Sequence, residues 1–256
     1  MTTIIRNLDL VIDNPALPII YGPFASVPGL IAGWRFSGST PLADLSGNGH
    51  VLSAQGTPSQ TDHYISGNKT NGYVTDISDA LTHTIMCVGR LKGVTNDYSM
   101  LVSSLRQSSS ANGIGSGLIL SSNSGSNISR DTGVIGNTAY NAALAASVPG
   151  QAGTYADRLN FRFTALVIDG VAGTAKLFQP KISSIPITVS ASAIGTRTVA
   201  GRIFRIGSWS DPTDLSNAGE YEIAEALFYN RAVSDSEVLT QYTRSKNYMA
   251  GYGDVI

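Results

Sequence analysis

The sequence predicts an all-β fold, a sandwich or barrel of short strands with an extended arm before it and one short helix near its end. Strand-like stretches, often alternating and bounded by Gly, Asn, Asp or Ser, recur along the 256 residues. Pro15, Pro18, Pro23 and Pro28 interrupt the first 28 residues, where only short apolar stretches such as Leu8-Asp9-Leu10 remain. A single helix signature stands at Ser234-Asp-Ser-Glu237.

Residues 1–28 are therefore read as an arm and 29–256 as the domain. Strands are expected over 30–36, 83–91, 117–121, 161–168, 175–179, 185–191, 204–207 and 222–229. Trp34 and Phe36, two apart on the first of these, share a face and belong to the core. Cys87, the one cysteine, sits in Ile85-Met-Cys-Val88 and reads as a small buried hydrophobe that forms no internal disulfide. Asn112-Gly113 and Asp169-Gly170 are turn pairs, because glycine tolerates positive φ and Asn or Asp bonds locally to backbone. Over 103–153 charge nearly vanishes and Ser, Gly, Asn and Ala dominate. Long loops at one end of the sandwich are the first reading, and edge strands with tiny side chains the alternative. The helix starts at Ser234, whose cap Glu237 reciprocates, continues through Val238, Leu239 and Tyr242, and stops at Gly251.

Composition narrows function. Seventeen basic and 18 acidic residues give a net charge of -1, and the five lysines are scattered, so no basic stripe exists to neutralise nucleic-acid phosphates. No apolar run approaches the roughly 20 residues of a membrane helix, so no membrane insertion is expected. The first residues lack the pattern of a secretory signal. Charged residues are only 14% of the chain, against about 25% in an average domain, which leaves a surface of Ser, Thr, Asn and Gly.

Two segments carry a family resemblance. Gly33-Trp-Arg-Phe36 followed by Asp44-Leu-Ser-Gly-Asn-Gly49 resembles the opening of laminin-G-like, concanavalin A-type jelly-roll domains. Ile223-Ala-Glu-Ala-Leu-Phe-Tyr-Asn-Arg-Ala-Val-Ser234 is similar to that family's closing strand and helix start. Between them, 161–179 resembles its hairpin and Phe204-Arg-Ile-Gly207 its penultimate strand. The resemblance covers roughly residues 29 to 250 and implies a jelly-roll β-sandwich. It also implies calcium at Asp44 and Asn48, since related loops hold this ion and carboxylate, amide and backbone oxygens suit a hard cation. Against that stand the ordinary turn role of Asp and Asn and a departure from the family pattern, Ala224 where an acid is usual.

Catalysis has one candidate. All four glutamates fall between 220 and 237, and Glu220 and Glu222 on one strand would share a face roughly 7 Å apart, a glycoside hydrolase spacing. A regular strand, however, puts Glu225 on the other face, and the middle acid of such enzymes is absent. His50, His63 and His83 share no metal-ligand spacing, and a lone histidine reads as a surface or satisfied core residue. Sugar binding needs aromatic faces beside hydroxyl-bonding groups. His63, Tyr64, Trp209 and Asp211 are the ligand-binding candidates, with Tyr73 a further loop aromatic.

The uncharged surface, the absent signal and disulfides, and the arm together resemble bacteriophage virion proteins with laminin-G-like modules. The expectation is a non-catalytic tail or fibre protein of the virion, homo-oligomeric with a trimer favoured. Its arm would bind other virion proteins, its sandwich would bind a host-surface glycan, and it would need no cofactor beyond a structural calcium. A purely structural virion protein, and less so a glycan depolymerase, are the alternatives.

Overall fold

The computed structural model describes residues 23–92, 98–108, 111–123, 128–136, 146–154, 159–197, 199, 201–208 and 219–256. In chain order its elements are β1 (Leu30–Arg35), β2 (Leu52–Gln55), β3 (Ser59–Gln60), β4 (Ile65–Gly67), β5 (Gly72–Ser78), β6 (His83–Lys92), β7 (Tyr98–Ser103), β8 (Arg106–Ser108) and β9 (Ala111–Asn123). There follow β10 (Ile128–Gly136), β11 (Ala146–Thr154), β12 (Arg162–Asp169), β13 (Thr174–Gln179), β14 (Ser183–Ser190), a one-turn helix α1 (Ser192–Gly195), β15 (Ile203–Ile206), β16 (Glu220–Tyr229) and α2 (Asp235–Ala250).

The strands form two antiparallel sheets, the expected β-sandwich. One runs β14-β13-β12-β6-β16-β4-β3, with β1 sharing the β4 edge of β16; the other runs β11-β10-β9-β7-β15-β5-β2, with β8 beside β9. Between them lies one core: Trp34, Phe36, Ile85, Cys87, Leu166 and Phe228 from the first sheet meet Tyr73, Leu101, Leu118 and Phe204 from the second. The outer face of the first sheet is covered too, because Met86, Val88, Phe163, Leu227 and Tyr229 pack beneath Val238 and Met249 of α2. This second layer explains why β6 and β12 read as continuous apolar runs. When both faces of a strand are buried, alternation disappears. Each large side chain so covered contributes about 1.5–3 kcal/mol.

α2 begins as the sequence predicts, with Ser234 and Glu237 closing a capping box, and Gly251 ends it. The expected arm has its last residues on the domain. Phe24 and Ala25 are buried, Gln241 accepts the Ala25 N–H at 2.7 Å, and Arg244 donates to the Phe24 carbonyl at 2.8 Å. Gly33 makes room for this contact, since a Cβ there would stand 2.3 Å from the Phe24 ring. Residues 1–22 of that arm lie outside the described residues.

Two expectations are corrected. Apart from the expected strand over 117–121, which lies in β9, 103–153 has loops as its first reading, and much of it is strand, as the alternative has it: β8 to β11 build the far half of the second sheet. Their Ser, Gly and Ala side chains carry little apolar period, so backbone pairing, not amphipathicity, defines them. Asn112-Gly113 lies within β9 and is not a turn; the chain reverses just before it, where Ser108 pairs with Ala111. Asp169-Gly170 does begin the β12–β13 turn, with the Asp169 carboxylate accepting the Val171 and Ala172 N–H groups.

Candidate functional site

β16 carries the first part of the site. Its register against β6 slips between Ile223 and Glu225, a bulge that inserts one residue and reverses parity beyond it. Glu225 consequently stands on the α2 side, with Glu222, and not on the opposite face as a regular strand predicts. It is fully buried there. Arg35 Nε donates to it at 2.8 Å, and the Ser245 hydroxyl and the Gln241 amide of α2 donate to its other oxygen. Glu222 accepts from Arg90 Nε at 2.5 Å, and Glu220 faces Lys92 at 3.8 Å. A glycosidase pair needs one carboxyl free to protonate the leaving group and the other free to attack or to activate water. Here each carboxylate is held by its own cation.

The second part is aromatic. Thr61 closes a tight reversal between β3 and β4, its N–H and hydroxyl both donating to the Tyr64 carbonyl. Asp62 and His63 are thereby set at the reversal's tip. The His63 ring lies flat on Tyr252, with centroids 4.4 Å apart and planes 10° apart. Tyr64 meets His63 edge-on at 5.0 Å and tilts against Phe161 at 5.6 Å. Arg90 sits over Phe161 at 4.2 Å. Tyr252 is held from below by Tyr248, 5.4 Å away and edge-on, whose other neighbour is the Arg35 guanidinium at 4.2 Å. Burial, partly offset by Ser37 and Arg35, pushes the Tyr248 hydroxyl up to about 12.

Local chain geometry brings Tyr252 there. Beyond α2, the N–H groups of Tyr252 and Asp254 both donate to the Met249 carbonyl. Gly253 adopts φ +84°, a conformation that side chains rarely take. This tight reversal aims the Asp254 carboxylate at His63 Nε2, 3.1 Å away, while Lys181 donates to the Val255 carbonyl. The result is a platform at one end of the α2-covered face. Tyr252 is its most exposed ring, at 43%, and Asp254, bonded to His63, and Arg90, over Tyr64 and Phe161, supply its polar groups.

The structure thus unites two of the ligand candidates, His63 and Tyr64. Trp209 and Asp211 lie outside the described residues. Tyr73 is not a loop aromatic: it belongs to β5, is buried, and stacks against Phe36. Sequence reading missed Phe161, just before β12, and Arg90 in β6, neither of which stands out from its strand-like surroundings, and Tyr252 and Asp254. The last two did leave a signal, since Gly251-Tyr-Gly-Asp254 puts an aromatic between glycines just past a helix stop, outside any core period.

Asp44 and Asn48 lie together in the loop after β1. Asp44 accepts from the N–H groups of Gly33, Ser46 and His50 and from the Ser46 hydroxyl. Burial raises this carboxyl, but the hydrogen bonds outweigh it and hold the group below its usual value. Asn48 turns its amide N–H2 toward the Leu30 and Ile31 carbonyls. Among the described residues no three His, Cys, Asp or Glu side chains gather as a metal site.

Two other polar places merit comparison. A groove of about 620 Å3 at the start of α2 is lined by Asp169, Lys176, Arg231 and Ser234 among others. No aromatic ring lines it, and Lys176 is bound to Asp235 at 2.6 Å. At the sandwich edge, His83 Nε2 lies 3.1 Å from Ser116 Oγ and its Nδ1 2.7 Å from the Ala80 carbonyl. Asp79 stands beside the ring at 3.5 Å. These are serine-hydrolase residue types, but Ser116 is fully buried and Arg197 grips both Asp79 oxygens, at 3.1 and 3.2 Å. A nucleophile must meet its substrate; this one is enclosed.

No protein-family model matches the chain, and no curated protein matches it in sequence. Solved structures do resemble it. The binding domain of Paraclostridial Mosquitocidal Protein 1 superposes with a TM-score of 0.59 at 14% identity, over 86% of this chain and 52% of that one. The botulinum neurotoxin serotype D binding domain gives 0.57 at 9%, over 86% and 51%. A Trypanosoma rangeli sialidase mutant displaying trans-sialidase activity gives 0.56 at 12%, over 86% and 33%. The chain therefore spans about half of the toxin binding domains and a third of the sialidase. At these identities the likeness is one of fold, a jelly-roll β-sandwich.

Proposed function

We propose that this chain is a non-catalytic glycan-binding module of a bacteriophage tail or fibre, which uses the His63–Tyr252 platform to hold a sugar of the host surface. The observation that carries this reading is the exposed Tyr252 ring, stacked flat against a His63 that the Asp254 carboxylate holds. A pyranose presents an apolar ring face and a rim of hydroxyls, and binds where an aromatic face adjoins hydrogen-bonding groups. Prior locking of the rings lowers the ordering cost of binding. Two neighbours in fold are toxin binding domains. A further one is from botulinum neurotoxin type C, whose cell entry depends upon interaction with two ganglioside molecules.

The virion assignment rests on the sequence resemblance, and with it the arm as the attachment to other virion proteins and the trimeric state. The reading requires no cofactor, and calcium at Asp44 and Asn48 is a separate question that chelation tests. Glu220 and Glu222, paired with Lys92 and Arg90, serve the platform as bonded partners and not as an acid and a nucleophile.

The test is binding of the labelled protein to a bacterial glycan array and to candidate host cells, beside Tyr252→Ala and Trp209→Ala. Saturable binding that Tyr252→Ala weakens supports the platform. Binding weakened by Trp209→Ala alone moves the site to the 208–212 segment. Absence of binding in every preparation favours the purely structural virion protein, for which deletion of residues 1–22 would abolish assembly.

A further inference from the structure

The charges around the platform name the class of sugar. Four basic groups on the α2-covered side already face a carboxylate of the same chain, while Lys181 at the rim faces only a backbone carbonyl. Arg35 is bonded to Glu225 at 2.8 Å, Arg90 to Glu222 at 2.5 Å and His63 to Asp254 at 3.1 Å, and Lys92 faces Glu220 at 3.8 Å. Lys181, at the rim, donates to the Val255 carbonyl at 3.1 Å. Asp62, exposed at the tip of the reversal that carries His63, adds a further negative charge. Two of the pairs are well removed from water: the Glu225 side chain is fully buried and that of Glu222 is 8% exposed.

An acidic sugar needs a cation for its carboxylate or sulfate, preferably a guanidinium fork. Here it would have to take Arg90 from Glu222, leaving that carboxylate buried and unpaired, which is strongly unfavourable. It would also approach Asp254 and Asp62, which carry its own sign. A neutral sugar meets neither obstacle. Carboxylates already paired with cations keep lone pairs that accept hydroxyl hydrogen bonds, and Asp254 and Glu220 retain exposure, 27% and 55% at the side chain.

Resting on the platform reading above, we infer that the platform selects uncharged hexose or N-acetylhexosamine residues and rejects sialylated, uronic or sulfated forms of the same glycans. The solved structures that share the fold include a sialidase in complex with sialic acid, so the inference separates this chain from that ligand despite the shared sandwich.

The experiment is an array of neutral oligosaccharides beside the same cores bearing sialic acid, uronic acid or sulfate, probed with the full chain, Tyr252→Ala and the double variant Glu220→Gln/Glu222→Gln. The neutral members should bind at least about tenfold more tightly than their acidic counterparts, and Tyr252→Ala should weaken that binding about tenfold. The double variant, by freeing Lys92 and Arg90, should narrow the gap. If it fails to fold, Glu220→Gln alone, at an exposed position, frees Lys92 and should narrow the gap by a smaller amount. Binding that depends on Tyr252 but prefers the acidic members overturns the inference while leaving the platform standing. Binding to no member, or binding indifferent to Tyr252→Ala, overturns the platform and the inference with it.

Discussion

His83 and His63 each stand beside an aspartate, a hydroxyl residue and an aromatic ring, yet their surroundings set them to opposite tasks. Around His83 the side-chain partners are enclosed. Asp79 and Arg197 have no exposed side-chain surface, Ser104 Oγ donates to Asp79 at 2.5 Å, and Phe204 closes the ring edge at 5.3 Å. These groups come from the ends of β5 and β6, from Ser104 after β7, from β9 and from the segment after α1, so the cluster ties the two sheets together. Around His63 the partners come from one short reversal and from residues 252–254, and water reaches them. The same residue types brace the fold where they are sealed and present a surface where they are not. Exposure, more than composition, separates a structural cluster from a binding one.

The largest effect should come from breaking the sealed cluster. Asp79→Ala leaves Arg197 buried without its carboxylate, and such a loss costs about 3–5 kcal/mol. Urea unfolding should show it as a lower midpoint at unchanged slope, while the protein that stays folded keeps its glycan affinity. A variant that lost affinity as well would mean the two clusters are coupled, and the contrast drawn here would fail. The converse is Tyr252→Ala. Removing one stacked ring should weaken glycan binding by about 1.4 kcal/mol, roughly tenfold, yet move stability by about 0.5 kcal/mol or less, as at an exposed position. A large fall in the unfolding midpoint would recast the platform as part of the fold.

Acid should distinguish the two histidines next. Burial, aided by the Arg197 charge, pushes His83 below its ordinary value of 6.5 against the pull of Asp79. The unfolded chain therefore takes up this proton more readily than the folded one. His83 contributes full stability above pH 6.5 and loses it as the pH falls below that value. Melting temperature should accordingly decline on going from pH 7 to pH 5, and His83→Gln, less stable throughout, should flatten that limb. An unchanged slope in the variant would show that some other group titrates.

How much of this was legible follows from the same distinction. The first sheet was read almost strand for strand, because β6, β12 and β16 are apolar on both faces and α2 announces itself by Ser234 and Glu237. Much of the second was not, because β10 and β11 are rich in Ser, Gly, Ala and Thr with little hydrophobic period and β2 is too short to show one, as are β3 and β4 at the edge of the first sheet. Of the platform, His63 and Tyr64 could be suspected as loop aromatics. Phe161 and Arg90 could not, since nothing local distinguishes them from strand neighbours. The β16 bulge was invisible as well: it is a register event against β6, and it alone brings Glu225 to the side of Glu222. The sealed cluster draws on positions from 79 to 197, a span over which no spacing rule operates.

The smallest effect concerns Asp44, which with Asn48 has both a structural and a ligand role expected from the sequence. Four hydrogen bonds from within the chain converge on its two oxygens, and Asn48 donates its amide to β1 carbonyls, so the loop is braced without an ion. Calcium seeks six to eight oxygens and would displace donors that already lower the Asp44 carboxyl. On this account chelation should leave the melting curve where it is, whereas Asp44→Ala should lower it by removing the acceptor that anchors Gly33 and His50. The sign of the pH effect agrees. A carboxyl lowered in the folded state stabilises above its ordinary value of 3.8 and gives that stability up as the pH falls further. A bound ion behaves differently: at a concentration one hundred times its dissociation constant it adds about 2.7 kcal/mol. A melting temperature that dropped on chelation and recovered with added calcium would therefore identify Asp44 and Asn48 as ligands and remove the turn as their sufficient cause.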